Sequence, residues 1–181
     1  MVTNGEITKG ISTLYDTINQ IIEEARAAVY RTANITMVRA YWHIGRVIVE
    51  DEQKGKERAE YGKQVLKQLS QKLTKKHGRG FDESNLRHMR NFYLVYPKCD
   101  ALRPELSWTH YRLLLKVGNE QARLFYMQET IDCNWSTRTL ERQIGNLYYE
   151  RMLMSHNTQI VKDEAAEKEI RQEPKDIIKD P

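Results

Sequence analysis

The sequence predicts an all-α protein, and three observations lead to this prediction. Apolar residues recur at three- and four-residue intervals through most of the chain, which is typical of amphipathic helices. Breaks that contain Gly or Pro separate these stretches, at residues 78–80, 97–105 and 118–119. Residues that favour helix N-caps, such as Asp82, Ser107 and Ser136, stand directly before the apolar runs. With 181 residues, 40% hydrophobic and 30% charged, the chain has the composition of a helical domain. It is long enough to bury one good core or two small cores that share an interface.

Residues 6–54 are predicted to form a helical hairpin. Its first helix, over residues 6–31, has apolar residues at a 3-4 spacing for about three heptads: Ile7, Ile11, Leu14, Ile18, Ile21 and Ala25. Asn34 or Thr36 is expected to cap a second helix, whose apolar face includes Trp42 and Gly45. The hairpin either braces the stretch that follows or forms a dimer interface. Packing within one molecule is the commoner arrangement.

Residues 61–97 are predicted to form a helix-turn-helix. Leu66, Leu69 and Leu73 share one face of the first helix, and the sequence His77-Gly78-Arg79-Gly80 then interrupts it. Asp82 or Ser84 is expected to cap the second helix, which Pro97 ends. Four residues are predicted to form its apolar side: Leu86, Met89, Tyr93 and Tyr96.

Most of the excess positive charge lies in this stretch. Residues 61–98 contain 9 Lys/Arg and 2 Asp/Glu, a net charge of +7, whereas the whole chain carries +4. Such a concentration would attract a polyanion by releasing its condensed counterions. An anionic membrane surface could respond in the same way, but the apolar stripe of the stretch is needed for the core. The sequence therefore favours nucleic acid as the partner, with DNA first and a structured RNA as the alternative.

The candidate DNA-binding residues form two sets. Arg can pair with guanine and Asn with adenine, so the second helix is predicted to enter the major groove. The residues predicted to face the groove are Ser84, Arg87, His88, Arg90 and Asn91, with Arg90 at the flank. The residues predicted to hold phosphates are Lys67, Lys75, Lys76 and Arg79. The alternative interpretation is a helical pair with a solvated polar face.

Residues 106–154 are predicted to form a second helical unit, with caps at Ser107 and Ser136 and one long last helix that ends near Met154. Residues 99–155 contain 7 Lys/Arg and 7 Asp/Glu, so the unit is interpreted as core and scaffold. Arg138, Arg142 and Tyr149 could make a secondary nucleic-acid contact. Together these units make a domain over residues 1–155, and residues 156–181 are predicted to be a polar linker.

No motif of catalysis or of metal or cofactor binding was found. A zinc site would need His88, Cys99, His110 and Cys133, whose spacing matches no compact ligand motif. The sequence therefore predicts no enzyme, no metal, no cofactor and no small-molecule substrate. The two cysteines are expected to be reduced, and no secretory signal or membrane-spanning run is present in the sequence, which predicts a cytoplasmic protein.

Two strings carry a family resemblance: GRGFDESNLRHMRNFYLVYP (78–97) and LSWTHYRLLLKVGNEQARLFYMQETIDCNWSTRTLERQI (106–144). They resemble the N-terminal domain of the bacterial YhcG-type proteins, a domain of unknown function, and the similarity covers about residues 10–155. The resemblance implies an all-α, winged-helix-like DNA-binding module that precedes a nuclease domain of the PD-(D/E)xK type. No β-wing is evident, so a helix-turn-helix is predicted instead. Pro181 stands about where the nuclease half would begin, so no catalytic residue is carried over.

The leading hypothesis is therefore a DNA-binding module that positions a nuclease and is not catalytic itself. The alternative is a protein-protein interaction domain or a homodimerisation domain of the same parent protein.

Overall fold

The computed structural model describes residues 4–54, 59–155 and 161–163, with side chains described within 13–53, 64–155 and 161–163. Every element in these ranges is helical, which confirms the predicted all-α class. The elements are α1 (Asn4–Lys54), α2 (Ala59–His77), α3 (Glu83–Val95), a 3-10 turn (Cys99–Ala101), α4 (Trp108–Leu114), α5 (Glu120–Asp132), α6 (Thr137–Gly145) and α7 (Tyr148–Met154).

Helix α1 is one continuous helix of 51 residues, about 75 Å long. The predicted hairpin over residues 6–54 is therefore wrong. Thr36, a candidate cap for a second helix, instead donates its hydroxyl to the carbonyl oxygen of Thr32 one turn back, at 2.7 Å. Thr32 bonds in the same way to Ala28, at 2.9 Å. Because no Gly or Pro lies between residues 11 and 44, nothing in the backbone ends the helix there.

The C-terminal half of α1 packs closely along α3. Val38, Trp42 and Val49 are buried on the side of α1 that faces the rest of the domain. Gly45 lies on the same side, and a Cβ atom placed on it would lie 2.0 Å from the carbonyl oxygen of Met89 in α3. The two helix backbones therefore approach to a distance that only glycine permits.

The buried side chains form two clusters. The smaller one contains Ile48, Leu66, Leu86 and Met89 and joins α1, α2 and α3. The larger one extends from α1 and the end of α3 to α7, and its aromatic centre includes Tyr111, Tyr126 and Tyr148, each no more than 2% exposed. Trp108 at the start of α4 packs against both clusters. Within the larger cluster, the indole N–H of Trp42 donates to the backbone oxygen of Tyr96 at 2.6 Å.

Predicted caps define the beginnings of the later helices. The side chain of Ser107 accepts from the backbone N–H of His110 and begins α4, and that of Ser136 accepts from Thr139 and begins α6. The single long last helix is wrong, because α6 ends at Gly145 and α7 begins at Tyr148. Between them Leu147 adopts a left-handed conformation with φ of 51°, which changes the direction of the chain.

One residue of the predicted linker belongs to the core. Val161 is 8% exposed and lies in the larger cluster, and residues 161–163 are helical. The linker prediction for 156–181 therefore does not describe this short stretch. The rest of the predicted linker lies outside the described residues.

Candidate nucleic-acid interface

The turn between α2 and α3 holds a cluster of basic side chains. Lys75 and Lys76 lie in the last turn of α2, where cations favourably face the negative end of the helix dipole. Gly78 and Gly80 have φ angles of 82° and 106°, in the region that side chains disfavour. Arg79 stands between these glycines, and it is exposed, as are Lys75, Lys76 and also Lys67 further back in α2. Four predicted phosphate-binding residues are thus available to solvent.

Asn85 fixes this turn to the core. The carboxylate of Asp82 accepts from the backbone N–H of Asn85 at 3.0 Å and caps α3, as predicted. The Asn85 side chain donates to the carbonyl oxygen of Gly80 at 2.5 Å and accepts from the indole N–H of Trp108 at 3.0 Å. Asn85 is only 9% exposed, and both the nitrogen and the oxygen of its amide bond within the protein. The turn is therefore held in one position relative to α3 and α4.

The outer side of α3 presents three of the predicted groove-facing residues. Ser84, Arg87 and Asn91 are exposed and lie three and four residues apart, so they share one face. Arg87 pairs with Glu83 one turn earlier, and its side chain remains 59% exposed. An exposed pair of this kind is weak, so the guanidinium remains available to another partner.

Arg90 lies apart from this face. Its Nε atom bonds to Oε2 of Glu52 in α1 at 2.6 Å, and the Glu52 side chain is 22% exposed. The pair joins α3 to α1 across 38 positions of sequence. Arg90 therefore links α3 to α1, and its side chain remains 41% exposed.

His88 lies where α3 meets α4. Burial lowers its pKa below the ordinary value of 6.5, and the positive charges of Arg112 in α4 and of Lys116 just after α4 lower it further, while Asp82 acts in the opposite direction. The uncharged form of the ring is therefore favoured more than in a free histidine. Two cations, one in α4 and one just after it, thus act on His88 of α3.

A polar groove of about 360 Å³ continues from these cations between α4 and α6. Its lining includes Thr109 and Arg112 from α4, Lys116 just after α4, and Arg138 and Glu141 from α6. Lys116 approaches Glu141 at 3.7 Å, in an exposed pair. Sequence reasoning assigned this segment to the scaffold because its charges cancel, and it identified only Arg138 here. The four-residue spacing of Arg112 and Lys116 was the signal that could have revealed the groove.

The helix-turn-helix order is present, but its geometry is not confirmed. Helix α3 packs chiefly along α1 and only lightly against α2. In the described ranges no strand exists that could serve as a wing. The basic surface is defined here as the exposed cations of α2, the α2–α3 turn, the outer face of α3 and the α4–α6 groove.

Comparison with known proteins decides the family. The family model of the DUF1016 N-terminal domain matches residues 17–151. The chain belongs to this family. The "Putative nuclease YhcG" of Escherichia coli (strain K12) is 36% identical in an alignment 206 positions long, which covers 96% of this chain. The same alignment covers 55% of that protein, so the chain spans about half the length of this relative. No solved structure matches the chain.

The described part of this DUF1016 N-terminal domain holds no group of three or more His, Cys, Asp or Glu side chains that could bind a metal ion. A membrane-spanning helix is likewise not found among the described residues.

A titration of His88 tests the junction between α3 and α4. Replacing Arg112 by Gln, or Lys116 by Gln, is expected to raise the pKa of His88 towards 6.5, since each change removes a nearby positive charge. Burial should keep the pKa below 6.5 in both variants. The unfolded state binds the proton at a higher pH than the folded state, so protonation of His88 should lower the free energy of unfolding as the pH falls below 6.5. NMR chemical shifts of the His88 ring across pH measure its pKa in each variant.

The matched control for this titration is Lys98→Gln, which removes an exposed cation after α3. It should leave the pKa of His88 unchanged. An equal shift in all three variants would contradict the proximity of α4 to His88.

Proposed function

We propose that this DUF1016 N-terminal domain is the DNA-binding module of a nuclease-associated protein and is not itself catalytic. The relative's name supports the association with a nuclease. The charge distribution supports the binding role, because residues 61–98 carry +7 while the rest of the chain carries −3 in total.

The observation that carries the proposal is that cations from separate stretches of sequence lie near α3. Lys75, Lys76 and Arg79 lie in the last turn of α2 and in the turn that leads into α3, and all three are exposed. Arg112 and Lys116 lie close enough to His88 of α3 for their charges to lower its pKa. A polyanion bound at the exposed face of α3 would meet both groups of positive charge.

Separate parts of the surface would make different contacts. Lys67, Lys75, Lys76 and Arg79 would bind phosphates, which position the protein without reading sequence. Arg87 and Asn91, helped by Ser84 and His88, would reach base edges. Arg90 does not belong to this base-reading set, because its bond to Glu52 turns it towards α1.

Binding of this chain to a fluorescent duplex, followed by anisotropy across a range of salt concentrations, tests the proposal. The association constant is expected to fall with salt, with a log–log slope of about −0.9 for each phosphate contacted. Competition with an unlabelled RNA hairpin of equal charge then distinguishes DNA from RNA. Absence of binding at low salt would overturn the proposal.

A further inference from the structure

The N-terminal half of α1 exposes a long apolar stripe. Every described residue from 13 to 34 is exposed, although α1 is continuous there. The largest apolar side chains of this segment are 42–68% exposed: Leu14, Tyr15, Ile18, Ile21, Ile22, Val29 and Tyr30. All of these except Tyr30 lie along the stripe. A stripe of this extent on a soluble domain marks an interaction site.

The stripe follows a heptad pattern. Leu14, Ile18, Ile21, Ala25 and Ala28 alternate at spacings of four and three residues, which is the pattern of core positions in a coiled coil. The opposite side is mainly polar and includes the Glu23–Arg26 ion pair at 3.0 Å, with Tyr30 as an exposed aromatic residue beside it. The segment is therefore an amphipathic helix with the spacing of a two-helix interface, and no such partner helix is present among the described residues.

We propose that α1 pairs in antiparallel orientation with α1 of a second copy of this chain, about a two-fold axis between Arg26 and Ala27. In that register Ala25 lies opposite Ala28 of the second copy, and Ile21 lies opposite Thr32. The small side chains at the centre permit close approach of the two helices. The larger apolar residues lie on either side of this centre, where Ile22 meets Val29 of the second copy.

Charge complementarity favours a second copy of this chain as the partner and favours the antiparallel orientation. Glu24 and Arg31 flank the core positions on the same edge of the stripe, seven residues apart. This separation is about 10 Å along one helix, too far for a pair within the chain. In the antiparallel register Glu24 lies beside Arg31 of the second copy, twice by symmetry. In a parallel register each charge lies beside an uncharged residue, Glu24 beside Val29 and Arg31 beside Thr36, so no such pair forms.

A shallow apolar depression lies within the proposed interface. It is lined by Ala28, Val29, Thr32, Ala33, Thr36 and Met37, just before α1 enters the core at Val38. In the antiparallel register the partner's Ile21 and Ile22 lie over this depression. An isologous interface of this kind repeats each contact, so the depression is filled on both copies.

This inference goes beyond the DNA-binding proposal and does not depend on it. If both hold, the two basic surfaces would lie at opposite ends of the helix pair. Gly45 marks the place where α1 contacts α3, and the two Gly45 residues would be about 55 Å apart along the axis.

Sedimentation equilibrium of the full 181-residue chain tests the association. A dimer is expected, and Glu24→Arg and Arg31→Glu should each weaken it roughly tenfold, because like charges then face each other twice. The double variant Glu24→Arg/Arg31→Glu should restore the parent affinity. Helix stability alone cannot produce this rescue, since the two residues do not contact each other within one chain. A monomeric chain would overturn the proposal, and this includes a monomer in which the chain's own C-terminal residues cover the stripe. Failure of the double variant to restore the affinity would overturn it as well.

Disulfide trapping tests the orientation in a background that lacks Cys99 and Cys133. The double variant Ile21→Cys/Thr32→Cys should form covalent dimers on oxidation, because the two positions face each other in the antiparallel register. Ile21→Cys alone should not, since the two copies of residue 21 would be about 16 Å apart along the axis, and a disulfide needs Cα atoms within about 7 Å. Efficient dimer formation by the single variant would overturn the antiparallel arrangement.

Discussion

Replacing Gly45 by Ala is expected to lower the free energy of unfolding by about 3 kcal/mol. The added Cβ would lie 2.0 Å from the carbonyl oxygen of Met89 and 2.7 Å from its carbonyl carbon, and both are backbone atoms that no rotamer change can move. Helices α1 and α3 would have to separate, which would loosen the packing of Met89 and Phe92, both fully buried. Chemical denaturation followed by circular dichroism measures the change.

The competing effect in this variant is helix propensity, which favours Ala over Gly by about 1 kcal/mol. Gly145→Ala isolates that effect, because Gly145 ends α6 and an added Cβ there would have no neighbouring atom within 4 Å. This control should be neutral or more stable by up to about 1 kcal/mol. A Gly45→Ala variant as stable as the Gly145→Ala variant would contradict the close helix contact.

Removing three cations at the α2–α3 turn is expected to weaken DNA binding on the order of a hundredfold at moderate salt. The variant is Lys75→Ala/Lys76→Ala/Arg79→Ala. All three side chains are exposed, so the fold should retain its stability. Fluorescence anisotropy measures the loss, and circular dichroism checks the fold.

A control variant with the same change of net charge distinguishes DNA binding at the α2–α3 turn from general electrostatic attraction between the protein and DNA. Arg26→Gln/Arg39→Gln/Lys98→Gln removes three exposed cations from α1 and from the segment after α3. It should weaken binding only slightly, through the long-range field of the protein. Equal losses in the two triple variants would show that net charge, and not the turn, governs binding.

Local signals in the sequence predicted the beginnings of most helices. Asp82, Ser107 and Ser136 all cap helices as expected, because an N-cap depends on a side chain and the backbone only three residues away. The Gly78-Arg79-Gly80 turn followed from the same kind of local reasoning. By contrast, the Thr36 side chain can either cap a new helix or donate a hydrogen bond to the previous turn of the same helix. The neighbouring residues in the sequence do not distinguish these two roles.

The remaining features depend on contacts between distant residues. Gly45 was placed on the inner face of its helix, but its role follows from the approach of Met89, 44 positions later. The pairing of Arg90 with Glu52 has the same origin. The α4–α6 groove was missed because charge was counted along the chain, where acidic residues cancel it, and not across the folded surface.

The salt dependence of DNA binding, compared between the parent chain and the Lys75→Ala/Lys76→Ala/Arg79→Ala variant, tests the central claim most directly. If these three side chains bind phosphates, the log–log slope of the variant should be less steep than that of the parent by about 2.7. Parallel lines for the two proteins would contradict the claim, because they would mean that the variant releases as many counterions as the parent.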